Sequence, residues 1–170
     1  MRIRPAEPGD AAGIAEIYAH YVEKTAASFE ESPPGPDEVA ARMDAIAHEG
    51  LPFLVAEEEG RVVGYAYLHP YHERSAYRRT TEDSVYVAAD ARGGGIGRAL
   101  LGRLLEEGER GGIREVIAII ALTEERTSVG LHRAFGFDEV GRLRAVGFKH
   151  GRWYDTVLMQ RSLQPPPSDD

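Results

Sequence analysis

The stretch "DARGGGIGRALL", Asp90 to Leu101, sets four glycines directly ahead of an apolar helical run. Ordering glycine is entropically costly. A cluster that opens a helix therefore implies positive φ or a ligand lying close to the backbone. Consecutive N–H groups from Gly93 to Arg98 can point into one concavity at a helix N-terminus, where free donors and the helix dipole favour an anion. The obvious anion is a phosphate.

Two phosphate loops are excluded by spacing. A dinucleotide fingerprint needs G-x-G-x-x-G, but the last position falls on Arg98 counted from Gly93 and on Leu100 counted from Gly95. A Walker A loop needs a lysine after the glycines, and none follows. What remains is strand, then Arg92-x-x-Gly95-x-Gly97, then helix.

Outward from the loop, Thr81 to Ala88 is alternating and β-branched, and Leu100, Leu101, Leu104 and Leu105 line the helix that follows. Upstream, Arg2 to Arg4 reads as a short strand, and Pro8-Gly9-Asp10 caps a helix carrying the stripe Ile14, Ile17, Tyr18 and Tyr21. Val39, Met43 and Ile46 mark a second helix, closed by Gly50. Phe53–Glu57 and Arg61–His69 form a hairpin turning at Glu59-Gly60.

Downstream, Gly111-Gly112 ends the third helix, Glu115 to Leu122 is apolar enough for a strand covered on both faces, and Thr127 to Phe135 suits a short helix. Phe137–Phe148 and Trp153–Gln160 read as strands around "KHGR". The order is β-α-α-β-β-β-α-β-α-β-β, a mixed α/β sheet in one domain over 1–163, with 164–170 a mobile tail.

Composition narrows the chemistry. The chain has no cysteine, which excludes disulfides, thiolate metal sites and a cysteine nucleophile. A net charge of -8 opposes general binding to nucleic acid or anionic lipid. No run approaches membrane-span length and no signal segment opens the chain, so a cytoplasmic location is expected. His69-x-x-His72 contains a proline and lacks an acidic zincin partner, so a loop is preferred over a metal site. No metal is expected.

The Arg92-x-x-Gly95-x-Gly97 loop, set between "SVYVA" and its helix, resembles the acetyl-CoA loop of the GNAT acyltransferase superfamily, and the element order resembles that fold along nearly the whole chain. The stretches "SAYRRTTEDSVYV", "SVGLHRAFGF" and "GRLRAVGFKHGRWYD" are similar to the phosphinothricin and methionine sulfoximine/sulfone N-acetyltransferases within it. This resemblance implies acetyl-CoA as cosubstrate, a small amino-acid-like acceptor and a homodimer. It implies cofactor contacts from Arg92, Gly93, Gly94, Gly95, Ile96, Gly97 and Arg98, and from the backbone of Val85, Tyr86 and Val87 in a splayed fourth strand.

Acetyl transfer to an amine needs a base, because an ammonium has no lone pair. Glu82 matches the acid to which the resemblance assigns that role. Asp83 is its competitor, and alternation puts the two on opposite faces. His132 stands where a proton donor to the departing thiolate is expected, and the two roles could be exchanged. The resemblance implies Ser128 as a further cofactor contact, although Glu125 replaces the usual Asn and "ALTEERTS" is one residue longer than in the relatives. For the acceptor, Arg74 would read a carboxylate, with Tyr77 beside it and Phe29 as an apolar wall. The alternatives are another amine acceptor, such as a polyamine, an aminoglycoside or a protein N-terminus, or a non-catalytic acetyl-CoA sensor.

Overall fold

The computed structural model describes residues 1–123 and 127–164. Seven strands form one sheet in the order β1-β2-β3-β4-β5-β7-β6. They are β1 (Arg2–Pro5), β2 (Phe53–Glu58), β3 (Arg61–Pro70), β4 (Thr80–Val87), β5 (Glu115–Ala121), β6 (Asp138–Lys149) and β7 (Arg152–Ser162). Only β4 and β5 run parallel; every other pair is antiparallel. The helices are α1 (Ala11–Lys24), α2 (Pro36–His48), α3 (Ile96–Arg110) and α4 (Thr127–Ala134).

Two apolar layers sandwich the sheet. On one face α3 buries Leu100, Leu101, Leu104 and Leu105 against Leu68, Val116 and Met159, and Val129 of α4 joins this cluster. On the other face α1 and α2 bury Ile14, Tyr18, Val39 and Met43 against Val55 and Tyr65. Close approach of α3 to β3 requires Gly64 and Gly108: a Cβ there would meet Leu100 at 3.1 Å and Leu68 at 2.9 Å respectively.

Turn chemistry follows the sequence. Glu59-Gly60 and His150-Gly151 all take positive φ, the left-handed pair that closes a two-residue hairpin with the right twist. Asp10 departs from expectation. A single 3-10 turn over Pro8–Asp10 precedes α1, and the Asp10 side chain makes no cap bond to that helix. It accepts instead from Glu7 N–H at 2.7 Å and pairs with Arg4 at 2.7 Å, fastening β1 to the helix entry.

The strand β5, which its apolar sequence predicts to be covered on both faces, is not covered along its whole length. Its first half is buried, but Ile119 is 42% exposed and Ile120 and Ala121 are half-buried. The cause lies in the way β4 and β5 part.

Candidate active site

Pairing between β4 and β5 covers Thr80, Thr81 and Glu82 against Glu115, Val116 and Ile117 and then stops. Beyond that point β4 remains paired to β3, and β5 to β7. Their facing edges separate into a cleft of about 1070 Å³. A strand edge left unpaired presents N–H and C=O groups to whatever enters, so the walls are backbone as much as side chain. The α1–α2 loop, the glycine loop, α4 and the start of β7 complete the lining.

The glycine loop sits at one end. Gly93 and Gly95 take φ of 84° and 80°, which side chains with a Cβ rarely adopt, and Gly95 caps α3 with no side-chain bond. The first N–H groups of α3 therefore keep their donors for a ligand. Gly97 is informative in another way. A Cβ there would meet Val87, Leu131 and Val85 at 3.6, 3.7 and 4.0 Å, ordinary contact distances, so packing within the chain does not demand glycine. Arg92 lies over the Tyr21 ring at 5.0 Å and Arg98 over Phe135 at 5.2 Å, flanking the loop with positive charge. Arg92, Gly93, Gly95, Ile96, Gly97 and Arg98 all border the cleft; Gly94 does not. This cradle fits a pyrophosphate.

Where the strands part, Glu82 and Asp83 turn to opposite sides. Both border the cleft. Burial pushes the Glu82 carboxyl up to about 7, with the Asp83 charge adding to the shift. Its neighbour across the strand pair is His69, with Nε2 3.8 Å from Glu82 Oε2. Burial lowers the His69 pKa against the opposing pull of the Pro70 carbonyl and Asp83. Glu82 is thus a carboxylate poised to gain or lose a proton near neutrality.

Asp83 points the other way and pairs with His132 Nε2 at 2.9 Å, both side chains almost fully buried. His132 Nδ1 donates to the Ser128 carbonyl at 2.7 Å, and Ser128 Oγ lies 3.4 Å from the same nitrogen. Burial alone would lower the His132 pKa, but the hydrogen bond to Asp83 and its charge outweigh burial and raise it. Both ring nitrogens are therefore engaged by protein acceptors, and neither N–H is directed at a thiolate in the cleft. The geometry is that of a brace between β4 and α4. Ser128 borders the cleft. Glu125 lies outside the described residues.

Val85 and Tyr86 line the cleft, as does Val87, whose main chain is already partnered. The Tyr21 hydroxyl donates to Val87 O at 2.8 Å and accepts from Val87 N–H at 3.2 Å. This removes Val87 from the backbone groups open to a cofactor. It also identifies Tyr21, which the helical stripe marked only as core.

At the acceptor end, Phe29 borders the cleft and its ring rests on Gly147, where a Cβ would stand 2.2 Å from two ring carbons. Lys149, 5% exposed, donates from Nζ to the Ser28 carbonyl at 2.6 Å. Ser28 Oγ in turn meets the Tyr18 hydroxyl at 2.8 Å. The α1–α2 loop is thus tied to the β6–β7 hairpin and to α1. Arg74 and Tyr77 are not brought to the cleft. They occupy the exposed segment between β3 and β4, where Tyr77 packs on His72 and Tyr71 at ring separations of 5.1 and 5.8 Å. That segment runs past the sheet end into solvent, so its arginines stay hydrated. Among the described residues, no group of three or more His, Asp or Glu side chains is arranged to hold a metal.

Comparison with known proteins agrees with this geometry. Residues 3–158 match the family model described as an acetyltransferase (GNAT) domain. The chain is 50% identical over 161 residues to a phosphinothricin N-acetyltransferase of Alcaligenes faecalis, covering 95% of this chain and 82% of that protein. It is 38% identical to an L-methionine sulfoximine/L-methionine sulfone acetyltransferase of Salmonella typhimurium, covering 100% of this chain and 99% of the relative. Among solved structures, a GNAT superfamily phosphinothricin acetyltransferase from Sinorhizobium meliloti in complex with acetyl-CoA superposes with a TM-score of 0.92 at 42% identity, covering 98% of this chain and 94% of that one. The chain that folds around this cleft therefore belongs to the GNAT acetyltransferase family, in its phosphinothricin and methionine sulfoximine/sulfone N-acetyltransferase group.

Proposed function

We propose that this protein transfers the acetyl group of acetyl-CoA to the α-amino group of a phosphinothricin- or methionine-sulfoximine-like amino acid. The observation that carries the reading is Glu82, a carboxyl raised to about 7 at the edge of the cleft. A base in that range is ionised often enough to take a proton from an ammonium and basic enough to hold it. The bound donor supplies an acyl thioester. The chain supplies the rest.

Residues Arg92 to Arg98 hold the pyrophosphate by N–H groups and flanking guanidinium charge. The main-chain N–H of Val85, on the same edge of β4 as the Val87 N–H and away from β3, faces the reacting carbonyl, where a preorganised donor favours developing negative charge, while Tyr86 N–H lies on the β3 side. Glu82 receives the amine proton. His132, held by Asp83 and Ser128, keeps α4 at its distance from β4 and so sets the width of the cleft. Phe29 walls the acceptor, and Lys24 and Arg152 are the lysine and arginine side chains lining the cleft, besides Arg92 and Arg98 of the glycine loop, that can attract its carboxylate.

The functional unit is a homodimer. Val140, Leu143, Val146, Phe148 and Trp153 stand about half exposed or more on the β6–β7 hairpin at the sheet edge, an apolar surface that a second copy would cover. Among the described residues no helix is long and apolar enough to cross a membrane, and the proposed location is the cytoplasm, where acetyl-CoA is made.

Thiol release from acetyl-CoA tests the reading without background, because the protein has no cysteine. Phosphinothricin, methionine sulfoximine and methionine sulfone are expected to give fast release; spermidine and an aminoglycoside are not. Acetyl-CoA binding with no release for any amine would overturn it in favour of a sensor.

A further inference from the structure

A second cavity, of about 440 Å³, lies between α1, α2 and the sheet. A recess of this size, open to solvent and lined largely by aromatic and aliphatic side chains, is a feature to be explained. Phe53, Tyr65, Tyr67 and His69 form its floor. The Phe53 and Tyr67 rings stack at 4.9 Å and 16°, and Tyr65 and Tyr67 lie parallel within 4°. Ile14, Val39 and Ile46 line it on the side of α1 and α2.

Register connects this cavity to the reacting centre. Residues directly opposite each other in an antiparallel pair point to the same face. Tyr65, Tyr67 and His69 stand opposite Tyr86, Ser84 and Glu82. The Glu82 carboxyl and the ring floor therefore share the face covered by α1 and α2, one strand apart, with His69 3.8 Å from Glu82 as the partition. Asp83 and His132 belong to the opposite face.

The lining also defines what fits. Arg42, its one arginine, is held by Glu30 at 2.7 Å and by Glu38, and the other charged group at the rim is the carboxylate of Glu49. An anionic phosphinate finds no uncommitted cation there and one negative charge. An apolar tail finds aromatic faces.

We propose that this cavity is a specificity pocket for a second class of acceptor, α-amino acids with an aromatic or branched aliphatic side chain. The amine lies at Glu82 and the tail passes His69 to stack on Tyr67 and Phe53. This inference rests on Glu82 acting as the base of acetyl transfer.

The full-length enzyme is assayed for thiol release with phosphinothricin, L-alanine, L-leucine and L-phenylalanine. L-Phenylalanine and L-leucine are expected to exceed L-alanine in kcat/KM by at least ~10-fold, the scale set by a few methylenes in an apolar pocket. Ala45→Phe, on the exposed side of α2 at the cavity mouth, should lower kcat/KM for phenylalanine by about 10-fold and leave phosphinothricin within ~3-fold. Val39→Phe, deeper in the cavity, should act in the same direction, with phosphinothricin turnover reporting the fold. Equal rates for alanine and phenylalanine with phosphinothricin active, or equal losses for both substrates in Ala45→Phe, would overturn the pocket and leave the acetyltransferase reading intact. No release with any amine would overturn both.

Discussion

Replacing Gly147 by alanine should move a side chain that is not itself mutated. Gly147 does not have positive φ and pairs with Tyr154 in the hairpin, so alanine suits the backbone. Its Cβ, however, would stand 2.2 Å from Phe29 Cε2 and Cζ, whereas carbon–carbon contacts settle at about 3.5–4.0 Å. The ring must retreat by roughly 1.5 Å or more. Phe29 is 37% exposed, so it can swing outward without straining the core. Losing about half of a Phe side chain's burial costs roughly 1–2 kcal/mol, or about 3–6 °C in Tm for a chain of this size. Because the ring walls the acceptor end, KM for phosphinothricin should rise about tenfold, with acetyl-CoA Kd unchanged. A cycle with Phe29→Ala separates the cause: the double variant should resemble Phe29→Ala alone, since the clash has no partner left. An unchanged acceptor KM alongside a lowered Tm would remove Phe29 from the acceptor wall, and an unchanged Tm would mean that the ring does not rest on Gly147.

Glu82→Gln should lower kcat by about 10²–10⁴-fold, and wild-type activity should fall as pH drops through about 7. The same shift makes Glu82 a stability liability. A folded pKa raised to about 7 stabilises the native state below the ordinary carboxylate range, and that contribution disappears as pH rises through 7, so Glu82→Gln should be more stable than wild type at pH 8 by up to about 3 kcal/mol and no more stable at pH 4. Melting curves at both pH values check the sign. Asp83→Asn should leave His132 with burial as the dominant influence, drop its ring pKa below the ordinary histidine value and cost about 3 kcal/mol; an unmoved His132 titration by NMR would refute the pairing. Trp153→Glu, at a residue 63% exposed, should convert a dimer to a monomer by sedimentation; a wild-type monomer would refute the dimer directly.

Periodicity and turn chemistry carried most of the element order in this sequence. Leu100 to Leu105 and the stripe from Ile14 to Tyr21 repeat at helical spacing, and Glu59-Gly60 names its own turn. The glycine loop was legible because its residues act through backbone, whose demands on φ appear directly as residue type. Side-chain partners were less legible. Nothing in "FKHG" shows that Lys149 turns inward to a carbonyl 121 residues away, since a lysine on a strand ordinarily stays in water. Nor does "HERSAYRR" reveal that Arg74 stays outside the cleft, because the path of a loop is set by the sheet end it leaves. His132 is legible as a candidate, but its engagement at both nitrogens depends on the Ser128 carbonyl and on Asp83, which local alternation places on the face away from Glu82 without naming a partner. Ile119 looks like core in sequence; it is exposed because its would-be neighbour strand has turned aside.

The parting of β4 from β5 divides the molecule into two inheritances. The donor end is built from main-chain groups and two glycines held at positive φ, Gly93 and Gly95, so drift in surrounding side chains leaves its grip intact. The acceptor end depends on a few replaceable side chains, carried on the α1–α2 loop and on a hairpin joined to it by one lysine and one glycine. Mutational libraries confined to residues 25–35 and 143–151 would therefore vary what is acetylated while conserving the means of acetylation. One scaffold can retire a substrate and adopt another without first relearning how to hold its acyl donor.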